Sequence, residues 1–216
     1  MCKLDNKKNE KMSLLFVGDP NLGEQGFRVA SKYFKNITCL IWKKGDGTRK
    51  EEIRTFIRSK NWDVLVSFYN DLIFKKEELS KVHLALNIHP SFPWIRGVAY
   101  DTLPLIERHK KFGATLHYIT EEIDAGRIID ILQDEIQEDI THSQFRLLTQ
   151  KLCLEMLEKT LKSLSGFDYL AEVYEFFGIK AKEFNMEWSS SYLSRKQLNN
   201  ILDELKRREP THCVFR

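Results

Sequence analysis

Three polar residues near the middle of the chain have side chains suited to acyl chemistry. Asn87 and His89 stand two positions apart in NIHPSFPWIRG (87–97), and Asp124 lies in GATLHYITEEIDAGRII (113–129). Histidine carries protons near neutral pH, an asparagine amide donates to a developing oxyanion, and aspartate orients or stabilises an imidazolium. Together they suit acyl transfer to an amine. The alternative is structural: satisfied polar residues at a strand end, and an aspartate that only forms a turn.

Alternating strands and helices are predicted to carry the first two of these residues. Buried strands are expected at SLLFVGD, NITCLIW, WDVLVSF and HLALNIH, with helices at FRVASKYF and EEIRTFIRSK between them. This order predicts βαβ units on a parallel sheet. Ligands of such sheets bind beyond the carboxyl ends of the strands, and residues two apart on a strand share a face. Asn87 and His89 should therefore point side by side into a cavity.

The second half of the chain changes pattern. GATLHYIT and RIIDILQDEI alternate with period two around a turn, which predicts a hairpin or a sharply bent strand pair. Thr141 and Gln144 form a capping box that opens a long helix ending near Gly166. The rest is less regular and ends in a short helix. We therefore divide the chain into a polar tail (1–12), a catalytic domain (13–165) and a C-terminal extension (166–216).

Composition excludes several classes of protein. The chain has 216 residues, 42% of them hydrophobic, and a net charge of only +3, so no strong field recruits nucleic acid or an anionic membrane. No uncharged apolar run approaches the ~20 residues that span a bilayer. The four cysteines are far apart, which argues against a zinc site or a disulfide framework. We expect a cytoplasmic protein that binds neither membrane nor nucleic acid and contains no metal.

The two central segments resemble those of the folate-dependent formyltransferases in composition, order and spacing. The resemblance covers roughly residues 13–165 and is strongest to the nucleotide-sugar N-formyltransferases. It implies an α/β, Rossmann-like fold with a mostly parallel sheet flanked by helices and a short C-terminal hairpin or helix extension. It also implies 10-formyltetrahydrofolate as the formyl donor and Asn87, His89 and Asp124 as the catalytic residues. The matching positions are Asn87, His89, Pro90, Arg96, Gly97, Gly113, Thr115, His117, Asp124 and Gly126.

The same resemblance implies two sets of binding residues. The folate would contact the loop after the third strand and the turn before Asp124, at Phe68, Tyr69, Asn70, Leu72, Ile119, Thr120, Glu121 and Asp124. The acceptor would contact Trp94, Arg96, Gly97 and His117. Each set has a structural alternative. The first loop can be an ordinary strand end, Trp94 can pack on its neighbours, Arg96 can hold the loop, and His117 can be a core histidine.

The resemblance favours a nucleotide-linked amino sugar as acceptor, such as dTDP-4-amino-4,6-dideoxyglucose, in surface polysaccharide (lipopolysaccharide O-antigen) synthesis. The short extension, without a basic stripe, argues against tRNA. Glycinamide ribonucleotide stays an alternative, although the loop GDPNLGEQG (18–26) carries Asp19 and Glu24 where a phosphate would bind. A formyltetrahydrofolate hydrolase and a binding module without turnover also stay open. The extension suggests a homodimer, with a capping element on a monomer as the alternative.

Overall fold

The computed structural model describes residues 12–216, so the predicted polar tail lies, except for Met12, outside the described residues. Four strands run parallel: β1 (Leu14–Gly18), β2 (Ile37–Ile41), β3 (Trp62–Phe68) and β4 (Val82–His89). Two more continue the sheet: β6 (Lys111–Tyr118) pairs antiparallel with β4, and β7 (Ile128–Glu135) pairs antiparallel with β6. The order is β2-β1-β3-β4-β6-β7. The mostly parallel sheet and the predicted strand pair are both confirmed.

The remaining elements connect and cover the sheet. The helices are α1 (Leu22–Ala30), α2 (Gly47–Arg58), α3 (Lys76–Leu79), α4 (Leu103–Ile106), α5 (His142–Ser165), α6 (Leu170–Glu183) and α7 (Arg195–Arg208). A separate two-stranded parallel sheet pairs β5 (Arg96–Gly97) with β8 (Tyr192–Leu193), and a 3-10 helix spans Cys213–Phe215. The capping box predicted for α5 is present at Thr141 and Gln144.

The strands β1 and β3 are buried along their whole length, and their two faces contribute to different apolar clusters. Leu14 and Phe16 of β1 join a cluster that includes residues of α1, α5 and α6. Leu15 and Val17 face the opposite way and pack with residues of α2. Helices on both faces explain why these strands are continuous apolar runs in the sequence.

The C-terminal extension is largely helical. Its first part, expected to be irregular, forms α6, because Leu170, Val173, Phe177 and Ala181 recur at helical spacing and are buried. Its strand β8 pairs with β5, far earlier in the chain, and residues 166–216 are otherwise mainly helical, so they form the helix extension and not the hairpin named as the other expectation. The division into domains and the homodimer remain predictions. No helix of residues 12–216 is both long and apolar enough to cross a membrane.

A buried ion pair ties α2 to α3. Arg54 and Glu78 have side chains 5% and 1% exposed, and Nη1 of Arg54 lies 2.6 Å from Oε2 of Glu78. Nη2 of Arg54 donates to the carbonyl oxygen of Ile73, and Oε2 of Glu78 accepts from the backbone N–H of Lys75. Breaking such a pair leaves one buried charge uncompensated, which is costly.

We expect Glu78→Ala to lower the free energy of unfolding by about 3 to 5 kcal/mol, because Arg54 would remain buried without its carboxylate. Urea unfolding monitored by circular dichroism measures this. Glu52→Ala is the matched control, since Glu52 pairs with Arg49 on the surface, and its loss should cost less than about 1 kcal/mol. Equal effects of the two variants would contradict the prediction.

Candidate active site

The polar residues meet where β4 changes partners, from parallel β3 to antiparallel β6. The register places Asn87 of β4 opposite Ser67 of β3 and opposite His117 of β6. Residues opposite one another on paired strands project from the same face of the sheet. Ser67, Asn87 and His117 therefore stand side by side across three adjacent strands.

A hydrogen-bond chain across these strands has one direction throughout. Nδ2 of Asn70 donates to Oγ of Ser67 at 2.9 Å, and Ser67 Oγ donates to Oδ1 of Asn87 at 2.8 Å. Nδ2 of Asn87 then donates to Nε2 of His117 at 3.0 Å, and Nδ1 of His117 donates to the carbonyl oxygen of Tyr118 at 2.8 Å. His117 is thus neutral, with its proton on Nδ1. The second amide hydrogen of Asn87, which is partly exposed, is left for a ligand oxygen.

His89 and Asp124 form a buried ion pair beside this chain. Nδ1 of His89 lies 3.4 Å from Oδ2 of Asp124, and Nε2 donates to the carbonyl oxygen of Ile95 at 2.7 Å. Burial disfavours the imidazolium, but the Asp124 carboxylate outweighs it and raises the pKa of His89 above its usual value. Burial also opposes ionisation of Asp124, yet His89 lowers its pKa to about 2. Both ring nitrogens of His89 face oxygen acceptors, an arrangement that suits the charged pair.

His117 has the opposite electrostatic behaviour. Its side chain is 3% exposed, and its Nε2 lies 3.9 Å from Oδ1 of Asp124. Loss of hydration on burial dominates and lowers the pKa of His117 to about 4, although the Asp124 carboxylate works against this. The site therefore holds one charged and one neutral imidazole on the two sides of a single carboxylate.

The loop that carries Asp124 is fixed by the β5 segment. Nη2 of Arg96 donates to the carbonyl oxygen of Ile123 at 2.6 Å and to Oε1 of Glu122 at 2.9 Å, and the backbone N–H of Gly97 donates to Oδ2 of Asp124 at 3.2 Å. Asp124 itself has a φ of +45°, which non-glycine residues adopt only where surrounding contacts hold them. Arg96 is 9% exposed, so the structure places its guanidinium on protein partners.

The predicted folate-contacting residues lie in two loops that flank the end of β4. Phe68 is buried in the core, and Asn70 braces its loop by donating to the carbonyl oxygen of Val17. Ile119 hydrogen-bonds to Ala85 of β4 and packs against the apolar cluster that contains Leu72, so the two loops converge on one face. Of the other predicted positions, Tyr69 is partly buried, and Thr120 and Glu121 are exposed.

Trp94 lies outside the hydrogen-bonded site. Its ring stacks on Phe92 with centroids 4.1 Å apart and is 47% exposed. Phe92 in turn occupies the space beside Gly113, where a Cβ would come within 2.7 Å of its ring. Trp94 is thus held as an aromatic surface beyond the end of β4. A cleft of about 380 Å³ lies between residues 125–128, which directly follow Asp124, and residues 184–188.

Sequence reasoning missed two residues of the site. Ser67 orients the Asn87 amide. It could have been found from the sequence by its position near the end of β3, level with Asn87 on the next strand. Trp188 comes from the extension, and its ring centroid lies 5.5 Å from that of His89 and 4.8 Å from that of His117. Nothing local in the sequence connects it to residues 60 to 100 positions earlier.

A family model described as formyl transferase matches residues 23–159. The chain belongs to this family. The resemblance stated from the sequence is confirmed, and the matched region contains Asn87, His89, His117 and Asp124. Trp188 lies outside it.

Curated relatives include methionyl-tRNA formyltransferases from two bacteria. That of Thermotoga neapolitana is 32% identical over 133 residues, and that of Clostridioides difficile is 28% identical over 155 residues. The alignments cover 58% and 71% of this chain but 41% and 47% of the relatives. The chain thus spans less than half the length of these relatives.

Solved structures share the fold. An N-formyltransferase from Helicobacter canadensis, in complex with folinic acid and dTDP-3-aminofucose, matches 86% of this chain and 72% of its own at 21% identity, with a TM-score of 0.65. A 4-N formyltransferase from Francisella tularensis matches 88% and 79% at 20% identity, with a TM-score of 0.63. A phosphoribosylglycinamide formyltransferase from Streptococcus pneumoniae matches 71% and 98% at 14% identity, with a TM-score of 0.57.

The buried neutral His117 predicts a pH dependence of stability. Its folded pKa of about 4 lies below the ordinary 6.5, so the unfolded chain takes up a proton first, and the free energy of unfolding should fall as the pH drops from 6.5 to 4. The fall is at most about 3 kcal/mol. Urea unfolding at pH 6.5, 5.5 and 4.5 measures it, and His117→Asn should flatten the dependence.

The neighbouring groups act in other pH windows. The pKa of His89 is raised in the folded protein, so its contribution to the free energy of unfolding is fully present below pH 6.5. This contribution is lost as the pH rises through the folded pKa. The pKa of Asp124 is lowered, so its contribution to the free energy of unfolding is present above pH 3.8 and is lost as the pH falls toward 2. Parallel pH profiles of wild type and His117→Asn between 6.5 and 4.5 would contradict the prediction.

Proposed function

We propose that this protein transfers a formyl group from 10-formyltetrahydrofolate to the amine of a nucleotide-linked amino sugar, such as dTDP-4-amino-4,6-dideoxyglucose. The observation that carries the proposal is the convergence of Asn87, His89 and Asp124 at the end of β4 in a chain of the formyl transferase family. The complex of the Helicobacter canadensis structure with folinic acid and a dTDP-amino sugar supports this choice of donor and acceptor.

The geometry suits the chemistry of the step. The acceptor nitrogen attacks the formyl carbon, and the carbonyl oxygen becomes an oxyanion. The second N–H of the Asn87 amide donates to that oxygen, and the positive charge of His89 stabilises it. The bond from the formyl carbon to N10 of the folate then breaks, N10 takes up a proton, and the amine loses one. The pair of His89 and Asp124 is placed to move this proton, because Asp124 keeps the imidazole charged until it is needed.

The two loops beside β4 would hold the folate. Leu72 and Ile119 belong to one apolar cluster, and its partly buried edge at Ile119 suits the flat ring system of a pterin. Exposed Thr120 and Glu121 stand on the same turn and can offer polar groups to the edge of the ring. Asp124 follows directly, so a donor held by this turn would lie beside the ion pair.

The acceptor would lie on the side of Trp94. An exposed, rigidly stacked indole offers a surface for a nucleotide base. The first turn of α1 is less suited to a phosphate, because Oδ1 of Asp19 already accepts from the backbone N–H of Gly23 at 2.6 Å. A phosphate placed there would meet a carboxylate, and this favours a sugar nucleotide over glycinamide ribonucleotide.

Methionyl-tRNA is the second candidate acceptor, because the curated relatives carry that name. Its formyl acceptor is also a primary amine, so the step at Asn87, His89 and Asp124 would be the same. The two candidates differ only in what binds outside the catalytic residues.

An acceptor panel tests the proposal. The purified protein is incubated with 10-formyltetrahydrofolate and, separately, dTDP-4-amino and dTDP-3-amino sugars, glycinamide ribonucleotide, methionyl-tRNA or no acceptor. Mass spectrometry is expected to show N-formylation of a sugar nucleotide with release of tetrahydrofolate. Formylation of glycinamide ribonucleotide or methionyl-tRNA alone would refute the sugar assignment. Formate as the sole product would indicate a hydrolase, and no product at all a binding module.

We expect Asn87→Ala and His89→Ala each to lower turnover by roughly a hundredfold or more, because each removes a preorganised donor or charge at the oxyanion. Steady-state kinetics with the accepted substrate measure this. His83→Ala is the control for His89, since His83 lies at the other end of the same strand, and it should keep near wild-type turnover. Two active variants at positions 87 and 89 would remove both residues from the mechanism.

A further inference from the structure

The segment between α6 and α7 is bound to the loops of the candidate site. We call residues 188–193 the strap. The backbone N–H of Ser189 donates to the carbonyl oxygen of Pro93 at 3.0 Å. Nη1 of Arg96 donates to the carbonyl oxygen of Ser189 at 3.0 Å. The strap ends in β8, which pairs with β5 at Arg96 and Gly97. The extension is thus attached to the segment that also fixes Asp124.

Trp188 is the strap residue that touches the imidazoles. Its ring meets those of His89 and His117 at interplanar angles of 76° and 77°, close to perpendicular. Nε1 donates to the carbonyl oxygen of Gly126 at 2.6 Å, which fixes the orientation of the ring. Gly126 must be a glycine, since a Cβ there would overlap the carbonyl oxygen of Tyr118. One indole therefore covers both histidines.

This cover has one open side. His89 and His117 are each 3% exposed, whereas Asn87 is partly exposed. Substrates can therefore approach Asn87 while the indole shields the two histidines.

We propose that Trp188 is a positioning residue that holds water away from the reacting formyl group and so commits it to the acceptor amine. The inference rests on the proposed function. The side reaction is hydrolysis: a water oxygen attacks the formyl carbon, the bond from that carbon to N10 breaks, N10 gains a proton, and formate leaves with release of one proton. Bound substrates would fill the open side at Asn87, so water would have to enter past the two histidines, where the ordered indole lies.

The test measures the partition of the donor. With the accepted amine at saturation, the ratio of formate to N-formylated product is determined for wild type, Trp188→Ala and Trp188→Phe. Trp188→Ala should raise this ratio roughly tenfold or more, because it opens the site to water. Trp188→Phe keeps a ring over the imidazoles and should stay near the wild-type ratio. Met186→Ala is the control, since Met186 is an exposed residue just before the strap.

The outcomes separate this inference from the proposed function. If the wild type transfers formyl groups and Trp188→Ala leaves the ratio of formate to N-formylated product unchanged, only the role of Trp188 is overturned. A wild type that makes neither product overturns both. Acrylamide quenching of tryptophan fluorescence needs no substrate. The fluorescence of Trp188, obtained by subtracting that of Trp188→Phe from wild type, should be quenched less than that of Trp94, obtained in the same way from Trp94→Phe. Trp188 is docked, whereas Trp94 is exposed. Equal accessibility would show an undocked strap and would also overturn the inference.

Discussion

The antiparallel pairing of β6 with β4 is the constraint on which the site depends. The parallel half of the sheet alone would bring Asn87 and His89 to an edge, with Ser67 on one side and nothing on the other. Addition of β6 places His117 opposite Asn87, and the turn after β6 returns Asp124 to His89. One reversal of strand direction thus converts a strand end into an enclosed cluster of five polar side chains.

The hydrogen bonds within this cluster leave little freedom of protonation. Each link from Asn70 to His117 pairs one donor with one acceptor, so the Asn87 amide has a fixed orientation, with one of its hydrogens left over, and His117 has a fixed tautomer. The ion pair of His89 and Asp124 supplies the charge that the chain lacks. A buried site with matched hydrogen bonds is preorganised, and stabilisation of an oxyanion requires such preorganisation because no reorientation is then needed during the reaction.

The extension contributes to the same site from far along the chain. Arg96 illustrates this, since its guanidinium holds both the Asp124 loop through Ile123 and the strap through Ser189. The residue was predicted as an acceptor contact, with loop support as its alternative. Its partners in the structure are those of a loop support. Trp188 and β8 make the extension part of the enclosure of the histidines.

The sequence by itself determined the six strands of the main sheet, the helices α1, α2 and α5, and the choice of Asn87, His89 and Asp124 as candidates, because these follow from local periodicity and from a motif with fixed spacing. It also determined the family. Only the tertiary structure decided the state of His117, the role of Ser67 and the place of Trp188. Tautomer and charge depend on which partner lies within hydrogen-bonding distance and on how much water is excluded, and both are set by residues distant in the chain. Residues 170–183 do carry apolar side chains at helical spacing, and only the structure shows the core against which that face of the helix packs.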